Sequence, residues 1–108
     1  MTIQLLKYIA AVAEAGSITE AAKTMHISQP SLSSSLKEAE KELGFGIFTR
    51  SRSGIALTKE GVEFLGYARQ VIQEMGLLIQ KFYMKHYRVI NIILALTLLE
   101  CIWSMLKA

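Results

Sequence analysis

The stretch from Ser17 to Leu43 constrains this chain more than any other. Ser17 has the form of a helix N-cap, and Glu20 three residues on completes a capping-box pattern. Ile18, Ala21, Ala22 and Met25 follow as one apolar stripe, in which the alanines admit a close neighbouring helix. His26-Ile27 makes a turn. Ser28 caps a further helix, and Pro30 sits near its start, where a missing N–H costs little. Leu32, Leu36, Ala39 and Leu43 continue at steps of four, three and four until Gly44 ends the run. The pattern is two short helices across a tight turn. The second opens with Ser28-Gln29-Pro30-Ser31-Leu32-Ser33 and keeps its apolar residues on one side. A helix built this way is able to present its first turn to a DNA major groove while its underside stays in a core.

The flanking segments complete a small domain. Ile3, Leu6, Ile9, Ala10 and Ala13 recur at three- and four-residue steps and predict a first helix ending at Gly16. After Gly44, Ile47-Phe48 and Ile55-Ala56-Leu57 are short apolar runs on either side of Thr49-Arg50-Ser51-Arg52-Ser53-Gly54. They predict a β-hairpin with a basic tip. Thr58 has the form of a cap for a long helix, in which Leu65, Ala68, Ile72, Met75, Ile79 and Phe82 alternate steps of three and four, with Gly61 ahead of them in phase. A repeat of that spacing over about three heptads marks a coiled-coil seam, which implies a partner helix. The same stripe packed within one chain is the alternative.

Composition narrows the function classes. A chain of 108 residues is one domain or one domain plus an arm, too short for a two-lobed ligand-binding enzyme. Cys101 stands alone, so no intrachain disulfide forms and nothing points to an oxidising compartment. Met1 to Ala13 lacks the basic start and cleavage site of a signal peptide, and a cytoplasmic location is expected. There is no Gly-rich phosphate loop, nucleophile elbow or metal-ligand spacing, and His26 and His86 are isolated. Neither catalysis, a metal nor a cofactor is expected. Net charge is +3, a mild excess compatible with nucleic acid. Residues 1–57 carry six Lys and Arg against five Glu, with acids at Glu38, Glu40 and Glu42 and bases at the hairpin tip. Affinity of a single copy for DNA should therefore be low and salt-sensitive, and a dimer would share the load over two half-sites.

The ordered set Gly16-Ser17-Ile18-Thr19-Glu20-Ala21-Ala22-Lys23, Ile27-Ser28-Gln29-Pro30-Ser31-Leu32-Ser33, Glu40-Lys41-Glu42-Leu43-Gly44, Phe48-Thr49-Arg50 and Leu57-Thr58-Lys59-Glu60-Gly61 resembles the N-terminal domain of LysR-type transcriptional regulators. The resemblance runs from Met1 to about Phe82. It implies a mainly α protein: a winged helix-turn-helix over residues 1–57, a linker helix over 58–88 that pairs antiparallel with a second copy, and a further segment at 89–108. Members of the family normally continue into an effector-binding domain of two α/β lobes. No small-molecule effector domain is expected within these 108 residues, which resemble a truncated or frame-disrupted regulator.

The implied function is binding of duplex DNA as a homodimer or higher oligomer in transcription regulation. Ser28, Ser31 and Ser33 suit short hydrogen bonds to phosphate or base acceptors, and the unpaired N–H groups of the helix start add a positive dipole end. Gln29 is the candidate for direct readout, since its amide matches adenine N6 and N7. Ser34 and Ser35 stand where many members place Arg or Gln, which shifts readout toward shape and water. Lys37 would hold the backbone, and Arg50 and Arg52 at the hairpin tip would reach a minor groove or phosphates. Read alone, the serine run is a solvated helix face, as are Lys23, Glu38 and Glu42. The rival function is a protein–protein module that forms mixed dimers with full-length relatives.

Val89 to Leu106 has fourteen apolar residues of eighteen, near the lower length of a membrane span, behind a basic patch of Lys81, Lys85 and Arg88. Asn91 and Glu100 oppose insertion, which makes a membrane partner the less favoured expectation. A helix that covers the linker seam or extends the dimer is the preferred physical reading, and a frame change the preferred origin.

Overall fold

A computed structural model of the chain describes residues 1–107, the side chains of residues 84–89 excepted. The patch residues Lys85 and Arg88, together with His86 and Val89, therefore lie outside the described side chains. Element order is α1 (Ile3–Ala15), α2 (Ile18–Thr24), α3 (Gln29–Leu43), β1 (Phe48–Ser51), β2 (Gly54–Leu57) and α4 (Lys59–Lys107). Contacts divide the chain into a unit Met1–Gln73 and a second unit that begins at Glu74.

In the first unit the helix boundaries follow from local chemistry. Thr2 caps α1 by accepting from the Leu5 N–H at 3.1 Å, and Ser17 caps α2 by accepting from the Glu20 N–H at 3.3 Å. The capping box of α2 is one-sided. The Glu20 carboxylate lies 3.6 Å from Lys23 Nζ, and among the described residues it makes no return bond to Ser17. Gly16 (φ 64°) and Gly44 (φ 82°) end α1 and α3 in the left-handed conformation that glycine adopts without a Cβ penalty. His26 takes φ 56° between α2 and α3, and the Ile27 N–H returns to the Ala22 carbonyl at 3.0 Å, which closes the turn.

The core joins Ile9 and Val12 of α1, Ala21 and Ala22 of α2, Leu32, Leu36 and Ala39 of α3, Ile47, and Leu65 of α4. The centre of α1 is Leu6, Ile9 and Val12. Ile3, Ala10 and Ala13, expected on that face, are half-buried at its margins. The cause is that α1 packs against both α2 and α3, so its buried arc is set by two neighbours instead of one.

The hairpin is tighter than the expected tip. Phe48 pairs with Leu57, Thr49 with Ala56, Arg50 with Ile55 and Ser51 with Gly54, leaving Arg52-Ser53 as a two-residue loop. The ladder thus takes in most of the segment expected to be loop, and Arg50 stands in a strand.

Ile47, just before β1, is fully buried. Its carbonyl accepts from the Thr58 N–H at 2.9 Å. The Thr58 hydroxyl donates to the Gly46 carbonyl at 2.6 Å and accepts from the Gly61 N–H at 2.9 Å, so one side chain caps α4 and ties it to the strand entry. Gly61 is required here: a Cβ at that position would stand 2.1 Å from the Ile47 carbonyl oxygen. One turn on, Leu65 enters the core and Ala68 is buried beside it. The heptad stripe therefore begins as part of this chain's own core. Ile72 and Met75 are half-buried, and Ile79 and Phe82 are exposed.

In the second unit α4 continues to Lys107. Ile90–Lys107 is a helical stretch of 18 residues with mean hydropathy 1.7, long and apolar enough to cross a membrane, and every side chain in it is exposed. The Thr97 hydroxyl donates to the Ile93 carbonyl at 2.9 Å, and Lys107 Nζ lies 5.6 Å from the Trp103 ring centroid.

The Gly61 contact predicts an inversion of the usual helix rule. Gly→Ala in an exposed helix interior stabilises by about 0.5–1 kcal/mol, and Gly66→Ala, which meets open space, should do so. Gly61→Ala forces α4 off the Ile47 carbonyl and should instead destabilise by about 2 kcal/mol. Urea denaturation measures both; a stabilising Gly61→Ala would contradict the close approach.

Candidate nucleic-acid interface

α3 owes its orientation to its leucines. Leu32, Leu36 and Ala39 are buried at 0%, 2% and 0% exposure, which commits one side of the helix to the core. Pro30, Ser34, Lys37 and Lys41 recur at steps of four, three and four on the opposite side, and all four are exposed. Gln29, the first helical residue, is exposed as well. No polar side chain is buried among the described residues. The outer row and the first turn of α3 are therefore open to a partner.

The serines divide into two kinds. Ser28 Oγ accepts from the Ser31 N–H at 3.3 Å and donates to Ser31 Oγ at 2.8 Å, so its hydroxyl is used in capping the helix. Ser33 is half-buried and accepts from Arg50 Nη2 at 3.1 Å. Its own proton and that of Ser31 are left to donate. Gln29, Ser34 and Lys37 make no side-chain hydrogen bond among the described residues.

Arg50 requires a correction. It was expected at the hairpin tip with Arg52, but it stands on β1 opposite Ile55 and reaches across to α3 through Ser33. Arg52 holds the exposed loop. The two guanidinium groups thus occupy different places, one braced beside the helix and one at the end of the wing. Between the starts of α2 and α3 and the hairpin runs an open groove of about 240 Å³, lined among others by Thr19, Gln29, Arg50, Ser51 and Ile55. Thr19 and Ser51 carry no local signal, because only tertiary packing brings them beside Gln29. Lys41 does carry one, the four-residue step from Lys37.

Two of the three acids of α3 are engaged elsewhere. Glu40 Oε1 accepts from the Phe48 N–H at 3.3 Å, and Glu42 pairs with the Met1 ammonium at 3.1 Å. Lys37 and Lys41 are left as the charges of the outer row, so a segment of nearly balanced total charge presents a basic face. No metal-type cluster of His, Cys, Asp or Glu occurs among the described residues.

Three helices with a two-stranded hairpin define a winged helix-turn-helix, with α3 in the position of the recognition helix. Residues 3–62 match the family described as bacterial regulatory helix-turn-helix protein, lysR family. The chain belongs to that family. It is 46% identical over 72 residues to the HTH-type transcriptional regulator TfdT of Cupriavidus pinatubonensis, a match covering 67% of this chain and 32% of that protein. It is 42% identical over 76 residues to TcbR of a Pseudomonas species, covering 70% and 26%. The chain thus spans about a third or less of these full-length relatives. Among solved structures, the complex of the CbnR DNA-binding domain with DNA aligns with a TM-score of 0.73 at 37% identity, covering 80% of this chain and 99% of that one. Full-length CbnR, a LysR family transcriptional regulator, aligns at 0.71 and 40% identity over 75% of this chain and 28% of its own.

The two kinds of serine should separate in stability. Ser28→Ala removes a cap and should cost about 1 kcal/mol. Ser34→Ala removes an exposed hydroxyl and should stay within about 0.5 kcal/mol of the parent. Chemical denaturation compares them; equal losses would mean that Ser34 has a structural partner.

Proposed function

We propose that this chain regulates transcription by binding duplex DNA as a homodimer, with α3 in the major groove and the hairpin on the flanking backbone. The observation that carries the reading is the exposed polar face of α3 on a leucine-anchored underside, in a chain 37% identical to a domain solved on DNA. In this reading Gln29 contacts a base edge through its amide, and Ser31, Ser33 and Ser34 donate short hydrogen bonds to phosphate or base acceptors. Ser28 acts indirectly, by fixing the first turn. Lys37 sits on phosphate and the N-terminal dipole of α3 adds to that attraction. Arg50, held by Ser33, borders the groove at the helix start, and Arg52 carries the wing to the minor groove or the neighbouring phosphates.

Residues 1–57 serve DNA recognition and residues 58–88 association. Leu65 and Ala68 support the association helix from within the core, and Ile72, Met75, Ile79 and Phe82 offer the surface for the second copy. The chain works in the cytoplasm, where the DNA is, and performs no catalysis of its own. A dimer places two recognition helices on two half-sites, which compensates for the modest charge of each.

The test is a titration against duplexes selected from a random library, repeated across salt concentrations. Affinity should fall steeply with salt, with two chains per duplex by sedimentation. Gln29→Ala should cost about 1–3 kcal/mol on the preferred duplex and relax preference at one position. Arg52→Ala should weaken all duplexes alike and reduce the salt slope by about one. If neither variant alters binding, the DNA reading is wrong.

A further inference from the structure

We propose that Ile90–Lys107 inserts across a phospholipid bilayer and tethers the regulator to the cytoplasmic face of a membrane. The proposal stands apart from the DNA-binding reading and uses none of the residues placed on DNA.

What is able to cover this helix decides its environment. All of its side chains are exposed, including Ile90, Ile93, Leu96, Leu99, Ile102 and Trp103. At 100° per residue, the apolar side chains of this stretch point in nearly every direction around the axis. One narrow line is different: Thr97, Glu100, Ser104 and Lys107 follow one another at steps of three, four and three. A seam helix is apolar over a third or so of its circumference, and a surface-lying helix has a broad charged face. This helix has neither. A single partner helix would leave most of its apolar surface in water, whereas hydrocarbon meets all of it at once.

Length and ends agree with that environment. Eighteen residues at about 1.5 Å each span about 27 Å, against a hydrocarbon core of about 30 Å. The helical backbone leaves no mid-segment amide unpaired. At the far end Trp103 and Lys107 pack together, the aromatic and snorkelling pair suited to a headgroup layer. Before the segment the sequence carries Lys81, Lys85 and Arg88, complementary to anionic headgroups. Three basic residues on that side are of the kind that orients the N-terminal part toward the cytoplasm.

Of the two polar residues that weigh against insertion, one lies at an end of the stretch and the other on its single polar line. Asn91 is in the first turn, at headgroup depth. Glu100 lies on the same line as Thr97 and Ser104, and Thr97 already satisfies its hydroxyl on the Ile93 carbonyl. Polar groups gathered on one line face other polar groups inside a bilayer and leave the remaining arc to lipid.

The experiment is flotation of the full chain, diluted from mild detergent, with vesicles of phosphatidylethanolamine and phosphatidylglycerol. Insertion predicts that the chain floats with the vesicles and stays there through washes in high salt and in alkaline carbonate. Leu94→Arg combined with Leu98→Arg should lower the vesicle-bound fraction at least about tenfold while the melting of the helix-turn-helix unit is unchanged. Glu100→Leu should retain or raise binding. Retention of the parent chain in the lipid-free fraction when vesicles are present would overturn the proposal. So would release by salt alone, which marks surface adsorption, or a loss of binding in Glu100→Leu.

Discussion

Burial of Leu32, Leu36 and Ala39 is the constraint on which the rest of the DNA-facing unit depends. Each buried leucine is worth about 1.5–3 kcal/mol relative to leaving it in water, far more than the few tenths available to any exposed pair on the other side. The helix therefore cannot rotate to hide its serines without exposing its leucines. Its outward row of Pro30, Ser34, Lys37 and Lys41 is a consequence of what lies beneath it, and the open first turn with Gln29 follows from the cap at Ser28.

The wing is held to this helix by a second set of contacts, local in space but distant in sequence. Thr58 joins the start of α4 to the Gly46 and Ile47 carbonyls, and the absence of a side chain at Gly61 lets α4 lie directly on that strand entry. Glu40 receives the Phe48 N–H, and Arg50 reaches Ser33. The last two bonds, each of modest strength, fix where the hairpin stands beside α3. Two acids of α3 are turned inward or to the N-terminus by the same packing, so the basic character of the outer row does not depend on the total charge.

Much of this was legible in the sequence because it rests on short-range chemistry. Ser17 and Ser28 bond to an N–H three residues on, Gly16 and Gly44 end helices through their own φ, and the leucine spacing of α3 needs no outside information. Val12 was not legible as core, because two neighbours close on α1 and widen its buried arc. Ile47 and Phe48 read alike as an apolar pair; the ladder start and the Thr58 clasp decide that Ile47 is the fully buried one. Arg50 was assigned to the tip because a basic polar run looks like loop, whereas hairpin register draws it into β1. The heptad stripe shows the same limit. Periodicity tells which residues share a side, but Leu65 and Ala68 turn out to meet their own core.

Amino-acid order settled the helices, their caps, the turn between α2 and α3 and the polar opening of the recognition helix, because each depends on groups within about four residues of one another. Folding settled the groove that gathers Thr19, Gln29, Arg50 and Ser51, the bracing of Arg50 on Ser33, and the division of the long stripe between core and surface. Those features join residues far apart along the chain, and their positions are dictated by which apolar faces close on one another, a property of the packed whole that no local pattern carries.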